Sequence, residues 1–161
     1  MGTEIERKYL VGAVPNEVLE AAEPEQIRQG YVVIAADGAE VRVRQRGRRH
    51  YLTVKQGSGL VRAETEIVLS PAQFGALWPL VGSAMLEKVR RRVSLQGHEI
   101  ELDVFAGALS GLAVVEVEFR SVKASAMFVP PAWFGREVTE DGRYKNRSLA
   151  VDGLPIGESD A

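Results

Sequence analysis

The segment Thr3-Glu4-Ile5-Glu6-Arg7-Lys8-Tyr9-Leu10, TEIERKYL, alternates charged with largely apolar side chains. In an extended strand successive side chains point to opposite faces, so Glu4, Glu6 and Lys8 share one face and Ile5 and Tyr9 the other. The two carboxylates then stand roughly 6–7 Å apart and, at an effective dielectric of about 20, repel by on the order of 2–3 kcal/mol. Such a strand calls for positive charge over its polar face.

The same period-two alternation recurs near residues 28–36, 39–47, 50–56, 62–69, 87–95, 98–106 and 113–120, giving about eight strands with the first at 3–11. Turn residues such as Ala36-Asp37-Gly38, Gly47, Gln56-Gly57-Ser58-Gly59 and Gln96-Gly97 separate them. Short connections predict an antiparallel meander, and eight strands that close into a barrel lose their exposed edges. The expected fold is therefore mainly β (α+β): a closed eight-stranded antiparallel β-barrel with a few short helices packed outside. Ser70-Pro71 reads as an N-cap with proline in the first turn, leading into Phe74, Leu77, Trp78 and Leu80. Residues 15–22 and 122–127 read as two further short helices, the latter ahead of Pro130-Pro131. At 161 residues the chain fits one domain over 1–161, with 153–161 a loosely ordered tail.

Strand after strand, one parity is charged and the other apolar. Arg42, Arg44 and Arg46 oppose Val41 and Val43; Thr53 and Lys55 oppose Leu52 and Val54; Arg62, Glu64 and Glu66 oppose Ala63, Thr65 and Ile67. Lys88, Arg90 and Arg92 oppose Val89 and Val93; Glu99, Glu101 and Asp103 oppose Ile100, Leu102 and Val104; Glu116, Glu118 and Arg120 oppose Val115, Val117 and Phe119. A sheet with one wet face shows such alternation too. A merely solvated face, however, gains by mixing signs, whereas these strands group them. Clustered carboxylates are hard oxygen donors suited to Mg²⁺ or Mn²⁺, and clustered arginines and lysines suit phosphate oxygens. A metal-bound phosphate chain satisfies both sets and offsets the repulsion of Glu4 and Glu6.

Composition narrows the remaining classes. A formal charge of −2 gives no general nucleic-acid-binding surface, and no apolar run of ~18 residues or secretory leader is visible, so a cytoplasmic protein without nucleic-acid or membrane partners is expected. The absence of cysteine excludes disulfides, thiol nucleophiles and Cys-ligated zinc. His50 and His98 lie at turns or strand edges without a ligand-spaced partner and are expected at the surface.

Glu4-Ile5-Glu6-Arg7-Lys8 resembles the ExExK signature of the CYTH proteins, or triphosphate tunnel metalloenzymes. Val41-Arg42-Val43-Arg44, Leu52-Thr53-Val54-Lys55, Arg62-Ala63-Glu64-Thr65-Glu66, Lys88-Val89-Arg90, Glu101-Leu102-Asp103-Val104-Phe105, Glu116-Val117-Glu118, Val138-Thr139-Glu140-Asp141 and Tyr144-Lys145-Asn146 follow in order. The likeness spans Glu4 to about Leu149 and is nearest to the short single-domain bacterial members. It implies a tunnel that binds a small polyanionic triphosphate with a divalent metal, Mg²⁺ or Mn²⁺, two ions per site. On matching positions it implies that Glu4, Glu6, Asp103, Glu116 and Glu118 hold metal, with Glu64 and Glu66 further tunnel carboxylates. Lys8, Arg42, Arg44, Lys55, Arg62, Lys88 and Arg90 hold phosphates, and Glu4, Glu6, Lys8, Glu116 and Glu118 form the catalytic set. Arg46, Arg92, Glu99 and Arg120 fall outside the motifs and are expected at a tunnel mouth or in solvent; for Tyr31, Tyr144 and Lys145, packing and solvation are favoured over shaping a mouth.

The implied reaction is hydrolysis of tripolyphosphate to pyrophosphate and phosphate, one ion bridging substrate oxygens and a second activating water. Adenylate cyclase chemistry of the class IV type, thiamine triphosphatase and a non-catalytic polyphosphate- or nucleotide-binding module are the alternatives, and a homodimer stays open. No aromatic and amide cluster for adenine stands out, and Trp78 and Trp133 read as core.

Overall fold

The computed structural model describes residues 5–56 and 63–156. Glu4, Arg62 and most of the expected tail therefore lie outside the described residues. Eight strands, β1 (Ile5–Leu10), β2 (Glu25–Ile34), β3 (Glu40–Arg46), β4 (Arg49–Lys55), β5 (Glu64–Leu69), β6 (Met85–Leu95), β7 (His98–Phe105) and β8 (Ala113–Phe119), form one antiparallel sheet. Its order is β1-β8-β7-β6-β2-β3-β4-β5. The meander holds within β2 to β5 and within β6 to β8. The two runs join through β2 against β6, and β1 adds beside β8.

The expected closed barrel is not what the pairing gives: β1 and β5 are the edges of the sheet and do not pair with each other among the described residues. The outer edge of β1 is already occupied. Leu10 N–H donates to the Arg136 carbonyl at 2.9 Å, Val138 N–H to the Lys8 carbonyl at 2.8 Å, and Tyr9 bridges Glu137. A segment so placed satisfies the edge groups of β1 that β5 would otherwise meet.

The sheet is nevertheless strongly curled. Lys8 on β1 donates to the Tyr144 carbonyl, Lys88 on β6 to Asn146, and Arg147 to Glu40 on β3. In a flat sheet β1 and β3, five steps apart, would be about 24 Å from each other. One stretch of four residues reaches both because the charged face wraps around it. That stretch belongs to a short 3₁₀ turn (Gly142–Tyr144) and helix α4 (Asn146–Asp152). Together with Val138 they bury Tyr144, Leu149 and Ala150 against Leu10, Tyr31, Leu86, Phe105 and Val114, plugging one end of the charged face with an apolar core. Helix α4 is not among the expected helices, because its buried apolar residues Leu149 and Ala150 are adjacent and leave no helical period to read.

The other face is covered as expected. Helix α1 (Asn16–Glu20), helix α3 (Val122–Met127) and the aromatic residues Phe128, Trp133 and Phe134 enclose Tyr9, Ile100, Leu102, Val115 and Val117. Helix α2 (Pro71–Leu77), opened by a reciprocal capping box between Ser70 and Gln73, continues into a 3₁₀ turn (Trp78–Val81) over Val43 and Leu69.

Gly30 of β2 lies directly under that turn, and a β-carbon there would collide with Val81 Cγ1. Gly30→Ala is expected to destabilise the protein by about 1–3 kcal/mol through overpacking. Urea unfolding of the variant checks this, and an unchanged midpoint would mean the turn is not seated on β2 as described.

Candidate functional site

Cross-strand register sorts the inward charges into rows. At the end away from the plug, Glu6 on β1 stands opposite Glu118 on β8, which stands opposite Glu99 on β7. The next row runs Lys8, Glu116, Glu101, Arg92 across β1, β8, β7 and β6. Deeper, Asp103 faces Arg90, which faces Glu25 on β2. On the far side, Arg44 faces Gln29, Arg42 faces Tyr31 and Thr53, and Thr53 faces Glu66. The charges are thus segregated by strand: mostly carboxylates on β1, β8 and β7, cations on β6, β3 and at Lys55 of β4, then Glu64 and Glu66 on edge strand β5.

Asp103 is the hub of the cationic block. Its Oδ2 lies 2.8 Å from Lys88 Nζ, while Arg90 grips it in a fork at 2.7 and 2.9 Å. Lys88 is 1% exposed and donates also to Asn146 Oδ1 at 3.2 Å. Burial pushes the Lys88 ammonium down to a pKa of about 8, with Asp103 opposing that shift. Burial alone would raise the Asp103 pKa, but the Lys88 charge and the Arg90 hydrogen bonds outweigh it and hold the carboxyl at about 2. For Arg90 burial is likewise the largest influence and lowers the pKa, yet Asp103, Glu101 and Glu116 more than offset it and the net shift is upward. These three lysine and arginine contacts leave Asp103 bound to two cations.

Arg44 is poorly compensated. Burial, then the like charges of Arg42, Arg46 and Arg90, bring it down to about 10, with Glu66 3.9 Å away. Arg42 is buried and donates to Thr53 Oγ1, which in turn donates to Glu66 Oε2 at 3.0 Å. The Nε–H groups of Arg42 and Arg44 are buried without a hydrogen-bond partner. Lys55 lies 4.0 Å from Glu64, and Lys8 3.9 Å from Glu116. A block of partly unsatisfied cationic donors is what a polyanion completes.

A divalent metal is implied by the motifs, and the donor chemistry fits one. Glu6, Glu116 and Glu118 offer hard oxygens on adjacent strands, and like charges directly opposite one another, as in Glu6–Glu118–Glu99, are destabilising without a counter-ion. Among the described residues no three carboxylates or imidazoles are gathered into a ready-made cage. The set would be completed by Glu4, outside those residues, and by rotation of exposed glutamates.

The remaining candidates separate clearly. Arg92, Glu99, Glu118 and Arg120, with Val93, His98 and Phe119, line an open cavity of about 640 Å³ at the end opposite the plug. Tyr31 and Tyr144 are buried in the plug and Lys145 is exposed, in line with their packing and solvation readings. Trp78 stacks on Phe74 and Trp133 packs edge-on against Phe134, both on the apolar face. His50, expected at the surface, is instead buried on that face with its ring 4.8 Å from Phe74. Gln29 and Glu25 give no signal in the sequence, because β2 begins at Glu25 and its inward residues, Glu25, Ile27, Gln29 and Tyr31, carry no charged alternation. Asn146 and Glu101 lie within the motifs but carry no assigned role; Asn146 meets Lys88, and Glu101 pairs with Arg90 and Arg92.

Residues 2–140 match the CYTH domain model, and the chain belongs to the CYTH family. It is 49% identical to the inorganic triphosphatase of Nitrosomonas europaea over 150 residues, 92% of this chain and 97% of that protein. It is 36% identical to the inorganic triphosphatase of Acetivibrio thermocellus, covering 92% and 94% of the two chains. The crystal structure of the inorganic triphosphatase NE1496 aligns with a TM-score of 0.79 at 45% identity, over 93% of this chain and 95% of that one.

Neutralising the hub is expected to be severe. Asp103→Asn should destabilise the protein by roughly 3 kcal/mol, because it strands the buried Lys88 charge, and the loss is limited by the ease with which that amine sheds its proton. Denaturant titration measures it, and a loss within experimental error would remove Asp103 as the anchor. Acid provides a separate test. A carboxyl depressed from 3.8 to about 2 contributes stability that is complete above 3.8 and lost as pH falls through about 2. Part of the acid unfolding of the wild type should therefore occur below the usual carboxylate range and disappear in the asparagine variant.

Proposed function

We propose that this protein hydrolyses inorganic triphosphate to pyrophosphate and phosphate in a Mg²⁺- or Mn²⁺-dependent reaction on its inward charged face. The sign-segregated face carries the proposal: a cationic block of Arg42, Arg44, Lys88 and Arg90 flanked on both sides by carboxylates. Phosphoryl transfer asks a protein mainly for positioning and charge stabilisation, which such a block supplies without a protein nucleophile.

In this reading Arg42, Arg44, Lys55, Lys88 and Arg90 hold the phosphate chain, with Lys8 at the acidic side and Arg62 as a further contact. Asp103, spent on Lys88 and Arg90, orients them. Glu4, Glu6, Glu116 and Glu118, with Glu64 and Glu66 from the other edge, hold metal. The bound metal supplies neutralisation of phosphoryl charge and activation of water. Lys88, with a pKa of about 8, is suited to take up or release a proton near neutrality.

An inorganic substrate is favoured over a nucleotide or thiamine ester by what fills the space. The plug closes one end of the charged face with Tyr31, Phe105, Tyr144 and Leu149. Both tryptophans lie on the opposite face, where they cannot stack a base or thiazolium ring.

Tripolyphosphate should be cleaved far faster than ATP or thiamine triphosphate, and chelator should abolish turnover. Glu116→Gln and Glu118→Gln should each raise the metal concentration needed for half-maximal rate by roughly 10–100-fold. Phosphate release assays across a metal titration decide the matter: undiminished turnover in chelator would sink metal dependence, and cyclic AMP formation would move the chain to cyclase chemistry.

A further inference from the structure

The charged face holds one fully buried neutral carboxamide that the proposed reaction does not use. Gln29 stands opposite Arg44 on β3 and Leu86 on β6, with Ile27 and Tyr31 as its neighbours along the inward face of β2. It is 0% exposed, and neither Oε1 nor Nε2 makes a hydrogen bond. The Tyr31 phenol is close enough to feel Gln29, but without hydrogen-bond geometry. An amide left unsatisfied in the interior lowers stability, and an apolar side chain of the same shape would serve packing better.

On the adjoining strand, Arg42 Nε and Arg44 Nε are in the converse condition: buried donors without an acceptor. Three orphan donors, Gln29 Nε2 among them, and one orphan acceptor, Gln29 Oε1, thus occupy neighbouring positions in one patch. We propose that Gln29 is a positioning residue for the phosphate-gripping arginines, its Oε1 accepting from the Nε–H of Arg44 once an anion draws that guanidinium onto its oxygens, and its Nε2 adding a donor beneath the anion. The inference rests on the triphosphate reading and deepens it.

The choice of amide over carboxylate follows from charge. Arg44 already sits among Arg42, Arg46 and Arg90, so a carboxylate at this place would satisfy it readily. It would also cancel one positive charge and compete with phosphate for the same guanidinium. A carboxamide offers the acceptor without subtracting from the attraction on the substrate.

The test uses the full chain with Gln29→Met, close in shape and apolar, and Gln29→Glu. Thermal unfolding without ligand, calorimetric affinity for tripolyphosphate with and without Mg²⁺, and steady-state hydrolysis are measured for each. Gln29→Met should unfold at or above the wild-type temperature yet bind tripolyphosphate roughly tenfold more weakly, with KM rising more than kcat falls. Gln29→Glu should unfold at a higher temperature still and bind more weakly again. Wild-type affinity and KM in Gln29→Met would overturn the proposal, as would lowered stability with unchanged kinetics, the mark of a packing role. A wild type that binds tripolyphosphate without hydrolysing it would sink the hydrolytic reading and leave the affinities to decide Gln29, whereas one that fails to bind would overturn both.

Discussion

Everything on the inward face depends on the clasp of Asp103 around Lys88 and Arg90. A lysine that is 1% exposed is tolerable only beside a compensating anion, and Asp103 provides it at 2.8 Å while also fixing the plane of the Arg90 guanidinium. Because Asp103 is itself held ionised by those two cations, the three groups form one rigid unit near the middle of the sheet. The unit carries a net positive charge, which replacement of the triad by well-packed apolar residues would remove. Such a replacement is often neutral or stabilising, so in the proposed reaction the triad serves as an anion receptor rather than as a structural brace.

The plug supplies the second constraint. Residues 135–139 run along the outer edge of β1, and the chain then turns inward so that Tyr144 and α4 meet Lys8, Lys88 and Glu40 from inside the curl. The same short segment therefore caps the edge that a closed barrel would have needed and holds the curvature that a flat sheet would lack. It also gives the Lys8 and Lys88 ammonium groups acceptors at the plugged end of the face.

Most of this was legible because the strands are half charged and half apolar. Alternation fixed which residues of β1, β3, β6, β7 and β8 share a face, and capping chemistry located α2 at Ser70. Strand order was not legible: β1 beside β8 and β2 beside β6 are non-local pairings that local turn signals do not encode. His50 misled because position at a strand start suggests exposure, whereas parity with Leu52 places it on the covered face. Gln29 escaped for the opposite reason. It lies on the inward face of the one long strand whose inward residues are mostly uncharged, so only the register against Arg44 reveals where it belongs.

The near balance of charge across the face argues for how its ligands bind. Lys8, Arg42, Arg44, Lys55, Lys88 and Arg90 are matched by acidic residues on β1, β5, β7 and β8, so the face as a whole exerts little net pull on a polyanion. Its attraction is local, and in the proposed reaction a triphosphate on the cationic block would lie next to glutamates on both sides. In the proposed reaction a divalent cation held by those glutamates would relieve that repulsion. In the proposed reaction metal and triphosphate therefore strengthen each other's binding by the same factor, as linkage requires. A face that mixed its charges evenly would bind neither; one with a single sign would bind only one of them.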